Sequence, residues 1–139
     1  MNVVLDTNVL VAALRSRNGA SYQILMALAE NQFVNNISVP LFAEYQDVLK
    51  RTDLLPHMGT NEIDIVLDFI AQQSRHRKIF YLWRPVLKDP KDDLVLELAV
   101  ESNSCIVTFN VKDFIGAEKF GVSVITPQKL LTIIREQTK

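Results

Sequence analysis

A chain of 139 residues, 48% hydrophobic and 22% charged, has the size and composition of one globular domain. Its formal net charge of -1 excludes a global basic footprint for nucleic acid, so any polyanion must be met by a local patch or through metal ions. No apolar run reaches the ~20 residues of a membrane span, and a single cysteine, Cys105, excludes an internal disulfide. Cys105 lies in an apolar run and is expected to pack inside the protein. The first residues lack the basic, apolar and small-residue segments of a secretion signal, so a cytoplasmic location is expected.

Val3-Val4-Leu5 reads as a strand buried on both faces, as in a parallel sheet. A carboxylate, a hydroxyl and an amide follow as Asp6, Thr7 and Asn8. Val9, Leu10, Ala12, Ala13 and Leu14 then adopt helical spacing over residues 8–15. Asp6 is therefore expected at the carboxyl end of a central strand, beside a helix N-terminus, where open α/β sheets hold their ligands. The plainer alternative is that Asp6 or Thr7 only caps the helix.

Ser16-Arg17-Asn18-Gly19 is a turn, and a second helix runs from Ala20 to about Glu30. Phe33 to Ile37 is a weak strand. Ser38, with Pro40 behind it, opens a third helix to about Arg51. Residues 54–58 connect it to a fourth helix, expected to be capped by Thr60 with Glu62 in its first turn. Arg75-His76-Arg77-Lys78 reads as a solvated helix end, and Ile79 to Trp83 as a strand. Residues 84–90 are a loop, and Asp92 opens a helix to about Ser102. Ser104 to Phe109 is another buried strand, Asn110 to Gly121 is irregular and partly helical, and Val122 to Ile125 is a short last strand. A closing helix begins at Thr126-Pro127. Strands alternating with helices, without linker or repeat, predict a single parallel α/β domain over residues 1–139.

Four acids stand out. Glu44 lies one turn from both Leu41 and Val48, so it flanks an apolar stripe where a carboxylate is costly unless paired or bound to metal. Asp89-Pro90-Lys91-Asp92-Asp93 holds more acids than a helix cap requires. Asp92 or Asp93 is expected to supply that cap. Helical phase turns Asp92 toward the sheet with Val95, Leu96 and Ala99, and rotates Asp93 away. Asp113 follows the strand ending at Phe109. If that strand neighbours the first, Thr108, Asn110 and Asp113 open on the same crevice as Asp6; the alternative for Asn110 and Asp113 is a turn. At ~5 Å and an effective dielectric of ~20, each carboxylate pair repels by about 3 kcal/mol, so such a cluster needs a cation or protons. An all-oxygen set without Cys or His favours Mg²⁺ or Mn²⁺ over zinc. His57 and His76 lie in loop and basic contexts. Arg15, Arg17, Lys88, Lys91 and Lys112 flank the crevice and could contact phosphates. Tyr81 and Trp83 read as core or interface aromatics.

The pattern resembles the PIN-domain family, and within it the ribonuclease toxins of VapBC-type toxin–antitoxin systems. The likeness rests on Val-Leu-Asp6-Thr7-Asn8-Val-Leu, on Glu44 in the segment Ser38 to Leu49, on Asp92 in Asp89-Pro-Lys-Asp92-Asp93, and on Ile106 to Phe114. It implies a three-layer α/β/α fold with a central parallel sheet of about four to five strands. It further implies an Mg²⁺- or Mn²⁺-dependent ribonuclease acting through metal-activated water, an antitoxin partner and a homodimer. By the same likeness Asp6, Glu44, Asp92 and Asp113 carry the metal and the catalysis. Thr7, Asn8, Thr108, Asn110 and Asp93 orient ligands or water. Many relatives have Asp where this chain has Asn110, which leaves Asp113 to supply the fourth charge.

Two other functions compete. A haloacid-dehalogenase-like phosphatase also begins with an Asp after a buried strand, but its chemistry wants a second Asp two residues on, where this chain has Asn8. A PIN-fold protein that binds RNA or an antitoxin with little turnover is the stronger rival, and Asn110 is the residue that argues for it.

Overall fold

The computed structural model describes residues 1–51, 53–79 and 87–137. The five strands among these residues are β1 (Asn2–Leu5), β2 (Val34–Ile37), β3 (Ser74–His76), β4 (Cys105–Val107) and β5 (Val124–Ile125). They form one all-parallel sheet in the order β3-β2-β1-β4-β5. The helices are α1 (Thr7–Arg15), α2 (Ala20–Ala29), α3 (Val39–Leu49), α4 (Thr60–Gln73), α5 (Pro90–Glu101) and α6 (Pro127–Gln137). The fold is the parallel α/β domain that the alternation predicted, in the three-layer α/β/α arrangement that the resemblance implied.

Burial explains the centre of the sheet. Val3, Val4, Leu5, Ile106 and Val107 are each fully buried, as a continuous apolar strand sandwiched between helices must be. From β1 the chain moves through β2 to β3 in one direction, then returns over both to β4. Right-handed crossovers therefore put α5 on the opposite face from α1 and α2. In agreement, α2 packs against α1 and α6, while α5 lies along β1, β2 and β4. Asn103, at φ 53°, takes the left-handed turn that ends α5 and releases the chain into β4.

β1 and β4 lie side by side, with Val3 opposite Cys105 and Leu5 opposite Val107. The ladder continues one step past the strand, since the Asp6 N–H donates to the Val107 carbonyl at 2.9 Å. β1 leads away to β2 on one side while β4 flanks it on the other, so the sheet's topological switch point lies between them. Loops diverge there and leave a crevice.

Three local expectations need correction. The third strand among the described residues is Ser74–His76, overlapping the run read as a solvated helix end, while the strand expected over Ile79 to Trp83 lies, beyond Ile79, outside the described residues. α4 ends at Gln73 and the chain enters the ladder at once, with Ser74, Arg75 and His76 opposite Asn35, Asn36 and Ile37. As an edge strand it needs no apolar run, and its exposed Arg75 and His76 suit an edge. Ile79 lies beyond it; Tyr81 and Trp83 are outside the described residues. At the start of α4, Gly59 and not Thr60 is the cap, and the Glu62 side chain accepts its N–H at 3.2 Å. Cys105 is half-buried and packs against the edge of the core.

Candidate active site

Asp6 is both a cap and more than a cap. One carboxylate oxygen, Oδ1, accepts the Thr7 backbone N–H at 2.9 Å, which is the capping bond that begins α1. The other oxygen turns across to β4, where it accepts the Thr108 hydroxyl at 2.8 Å and the Asn8 amide at 3.4 Å. Asn8 ties the same corner together. Its Nδ2 also donates to Thr108 Oγ1 at 3.2 Å, and its Oδ1 accepts the Phe109 N–H at 3.4 Å. Thr108 Oγ1 in turn accepts the Asn110 N–H at 3.0 Å. The register of β1 against β4 makes this clamp possible, because each chain leaves its strand at the same level.

Below the clamp lies Tyr45 on α3, fully buried, whose hydroxyl donates to the Leu5 carbonyl. Burial first, and then the Asp6 charge, push that hydroxyl upward in pKa, so it stays a neutral donor. One residue away Glu44 emerges at the edge of the apolar stripe, its side chain 16% exposed, with the Lys91 ammonium 3.7 Å from Oε1. The expected flanking position of Glu44 is correct.

Asp92 and Asp93 separate differently from the helical-phase expectation. The cap of α5 is Asp89, whose Oδ1 accepts the Lys91 N–H at 2.9 Å, with Pro90 behind it. Neither Asp92 nor Asp93 is needed for that task. Asp93 is not rotated outward: it is 6% exposed and accepts the Leu87 N–H at 3.0 Å, so the segment entering α5 folds over it. Glu97, one turn on along the same helix face, is also buried. Asp92 is half-buried, and its carboxyl is pushed up to about 7, by desolvation first and then by the charges of Asp6, Asp89, Asp113 and Asp93.

Asp113 and Asn110 belong to one turn. Residues 111–114 form a short 3₁₀ helix that Asn110 precedes, and the Asp113 N–H donates to the Asn110 carbonyl at 2.9 Å. Positions three apart eclipse in such a turn, so residues 110 and 113 share a side. Both are exposed. Asp113 lines a cleft of about 740 Å³ with Asp92, Asp89, Lys88 and Lys112. The Asp6 carboxyl is raised by burial, against the bonds from Thr108 and Thr7 that lower it, and further by Asp113 and Glu44. The four expected acids thus feel one another electrostatically. Among the described residues, no three Asp, Glu, His or Cys side chains stand close enough to hold an ion without moving.

The basic residues divide between two sides of this crevice. Lys88 and Lys112 face the acidic cleft, and Lys91 leans on Glu44. Arg15 lies on the other side, its Nε donating to the Leu54 carbonyl at 3.2 Å in a second cleft that Thr7 and Asn8 also line. Arg17 is further off, beside His57 and Tyr22. Two functional-looking residues escaped the sequence reading. Tyr45 could have been found as a phenol in the middle of an apolar stripe, which needs a buried partner. Glu97 could have been found from its i, i+4 spacing to Asp93.

Comparison with known proteins agrees on family and fold. The family model of the PIN domain matches residues 2–112. VapBC2 from Rickettsia felis, solved bound to a DNA fragment from their promoter, is similar with a TM-score of 0.62 and 18% identity, over 91% of this chain and 98% of that one. VapBC-1 from nontypeable Haemophilus influenzae is similar at 0.60 and 14%, over 92% and 99%. FitAcB from Neisseria gonorrhoeae is similar at 0.58 and 16%, over 91% and 98%. At such identities the likeness is one of fold. No curated protein matches the sequence.

Proposed function

The chain belongs to the PIN-domain family, and on that footing we propose that it is a divalent-cation-dependent ribonuclease serving as the toxin of a toxin–antitoxin pair. The observation that carries the reading is the Asp6–Thr108–Asn8 clamp at the switch point, with Asp92 raised to about 7 by burial first and then by the acids around it. A structural carboxylate is normally given a cation or enough hydrogen bonds to lower its pKa. Here Asp6 and Asp92 both go the other way.

Asp6, Glu44, Asp92 and Asp113 would hold the ion. Their donors are all oxygen, which fits Mg²⁺ or Mn²⁺. When bound, such an ion supplies Lewis acidity toward water and a phosphodiester. The chain's own residues do the positioning. Thr108 and Asn8 fix the Asp6 oxygen that faces β4. Tyr45 anchors the strand end from which Asp6 projects. Lys88 and Lys112 offer charge to phosphates on the acidic side, and Arg15 does so on the other. Lys91, which contacts Glu44, would have to yield that carboxylate to a bound cation.

The toxin role rests on the sequence resemblance and on a shared fold with VapBC and FitAB proteins. It brings with it an antitoxin and a homodimer. A neighbouring open reading frame encoding a small DNA-binding-type protein, recovered with this chain by pull-down, supports the role. Light scattering that finds only monomer at micromolar concentration counts against the dimer.

A binding-only reading has two observations in its favour: Lys91 already contacts Glu44, and Asn110 leaves its side of the crevice one charge poorer than an acid would. Calorimetry with Mn²⁺ and cleavage of a fluorogenic RNA decide between them. The ribonuclease reading requires Mn²⁺-dependent cleavage and Mn²⁺ binding that Asp6→Asn and Asp92→Asn both weaken. Unchanged affinity in both variants overturns it.

A further inference from the structure

Phe109 is the least expected residue of the crevice. It is 50% exposed although it directly follows the buried Val107 and Thr108. Its backbone is not loose, because Asn8 Oδ1 accepts its N–H and Thr108 before it holds Asp6. A fixed backbone therefore presents a benzyl ring to solvent beside the proposed metal ligands. The ring forms one wall of the cleft of about 550 Å³ on the far side of Asp6 from Lys88 and Lys112. Val11, Ala12, Val48 and Leu54 give this cleft an apolar floor. Its mouth carries Thr7 and Asn8, the same residues that build the Asp6 clamp, so it is continuous with the candidate site.

Arg15 supplies the charge. It is exposed on the cleft rim, and Leu54 takes only its Nε, while a guanidinium has four further N–H donors. An exposed aromatic face, an apolar slot and a cation that suits phosphate are the three elements of single-strand recognition by stacking. Resting on the ribonuclease reading above, we infer that this cleft is a nucleobase subsite. It holds the base of a single-stranded RNA nucleotide next to the scissile phosphate, with Phe109 stacked on the base and Arg15 on the adjoining phosphate. Stacking is tolerant of base identity, so the subsite selects unpaired over duplex RNA more than it selects a sequence.

The test uses the full-length protein in EDTA, where no divalent ion supports cleavage, and a fluorescein-labelled single-stranded RNA dodecamer read by anisotropy. Phe109→Ala should weaken binding roughly ten-fold, as loss of one stacked base does, while Phe109→Trp retains it. Ala12→Phe, which fills the slot from its floor, should weaken binding as Phe109→Ala does. Circular dichroism should be the same for all three. A set of RNAs with one abasic nucleotide walked along the strand should show one position whose loss matches that of Phe109→Ala, and no additional loss when the two are combined. Wild-type affinity in Phe109→Ala overturns the subsite and leaves the ribonuclease reading standing. If wild type binds no single-stranded RNA, both fall. If Phe109→Ala abolishes pull-down of a protein partner and leaves RNA affinity unchanged, the cleft is a protein surface and the inference is wrong.

Discussion

Two buried polar networks share this sheet, and they are built to opposite ends. One surrounds Asn36, toward the start of β1 and β4. Its Nδ2 donates to Asn2 Oδ1 at 3.3 Å, the Val3 carbonyl at 3.2 Å and Ser104 Oγ at 3.1 Å, and its Oδ1 accepts Arg77 Nε at 2.9 Å. Ser104 is linked on to Ser102 at 2.6 Å. Apart from the Arg77 head group, every member is neutral. The other network surrounds Asp6 at the carboxyl ends of the same strands. It is also hydrogen-bonded, but its centre is a carboxylate, and the charges around it are Glu44, Asp92 and Asp113. Hydrogen bonding does not distinguish these two regions. What does is whether the charge is balanced by the chain itself. A network that closes on its own specifies a structure, and one left with excess charge specifies a ligand.

The largest effect that should separate them is on catalysis. Asp6→Asn should cost cleavage activity more than the roughly 10–100-fold typical of groups that merely support a metal ligand. Its thermal midpoint without metal should be equal to or above wild type, since a repelled charge has been removed. Thr108→Val, which deprives Asp6 of its 2.8 Å donor, should fall within that 10–100-fold range in Mn²⁺ affinity. An Asp6→Asn protein that is both active and less stable would place Asp6 with Asn36, as a structural group.

Asn36→Ala is the mirror experiment. It strands the half-buried Arg77 Nε and takes one donor from Ser104 Oγ, which keeps Ser102, and a buried group without its partner costs about 1–3 kcal/mol. Urea unfolding should show that loss, with Mn²⁺ affinity unchanged. A shift in Mn²⁺ affinity comparable with that of Thr108→Val would mean that the two networks are coupled through β1.

Between residues 110 and 113 the contrast becomes finer. They share one side of a 3₁₀ turn, and only Asp113 is charged. Asp113→Asn should therefore cost more metal-dependent activity than Asn110→Ala. If Asn110→Asp raises activity greatly and Asp113→Asn is silent, position 110 is the ligand position, the native site is a weakened one, and the binding-only reading gains.

The asymmetry between the regions also explains what the sequence could reveal. The apolar triplet Val3-Val4-Leu5, the alternation of strand and helix, and acids just past strand ends are local patterns, and they led to the parallel sheet and to Asp6. Glu44 was legible from helical phase alone. Asp93 was not, because its burial is imposed by Leu87, which reaches it from the preceding segment. The edge strand Ser74–His76 was hidden for a similar reason. Three polar residues become a strand only because Asn35, Asn36 and Ile37 offer a ladder. Asn36 itself carried no signal of burial, since its partners come from β1, the residue before β4 and the residue after β3. Phe109 was read as the end of a buried strand, and only the early release of the chain after Val107 leaves its ring in solvent.

The smallest expected effect is on pH dependence. Asp92 has a folded-state pKa of about 7, against an ordinary value of 3.8. Between those values the folded protein keeps a proton that the unfolded chain has released. Stability rises with pH where the unfolded state binds more protons, and here it binds fewer. The metal-free protein should therefore be most stable near pH 4 as far as this group is concerned, and should lose stability as pH climbs toward 7. Asp6, raised in the same direction, adds to the slope. Asp92 is only half-buried, so solvent screening keeps the effect modest. Asp92→Asn should flatten the profile between pH 4 and 7, measured by urea midpoints in EDTA, while Asn36→Ala should lower it uniformly. Mn²⁺ must displace the same proton, so calorimetry in buffers of different ionisation enthalpy should find proton release on binding below pH 7, and less in Asp92→Asn. A wild-type profile that rises across this window would show that the acids are already neutralised by groups of the chain, and the crevice would then resemble the Asn36 network after all.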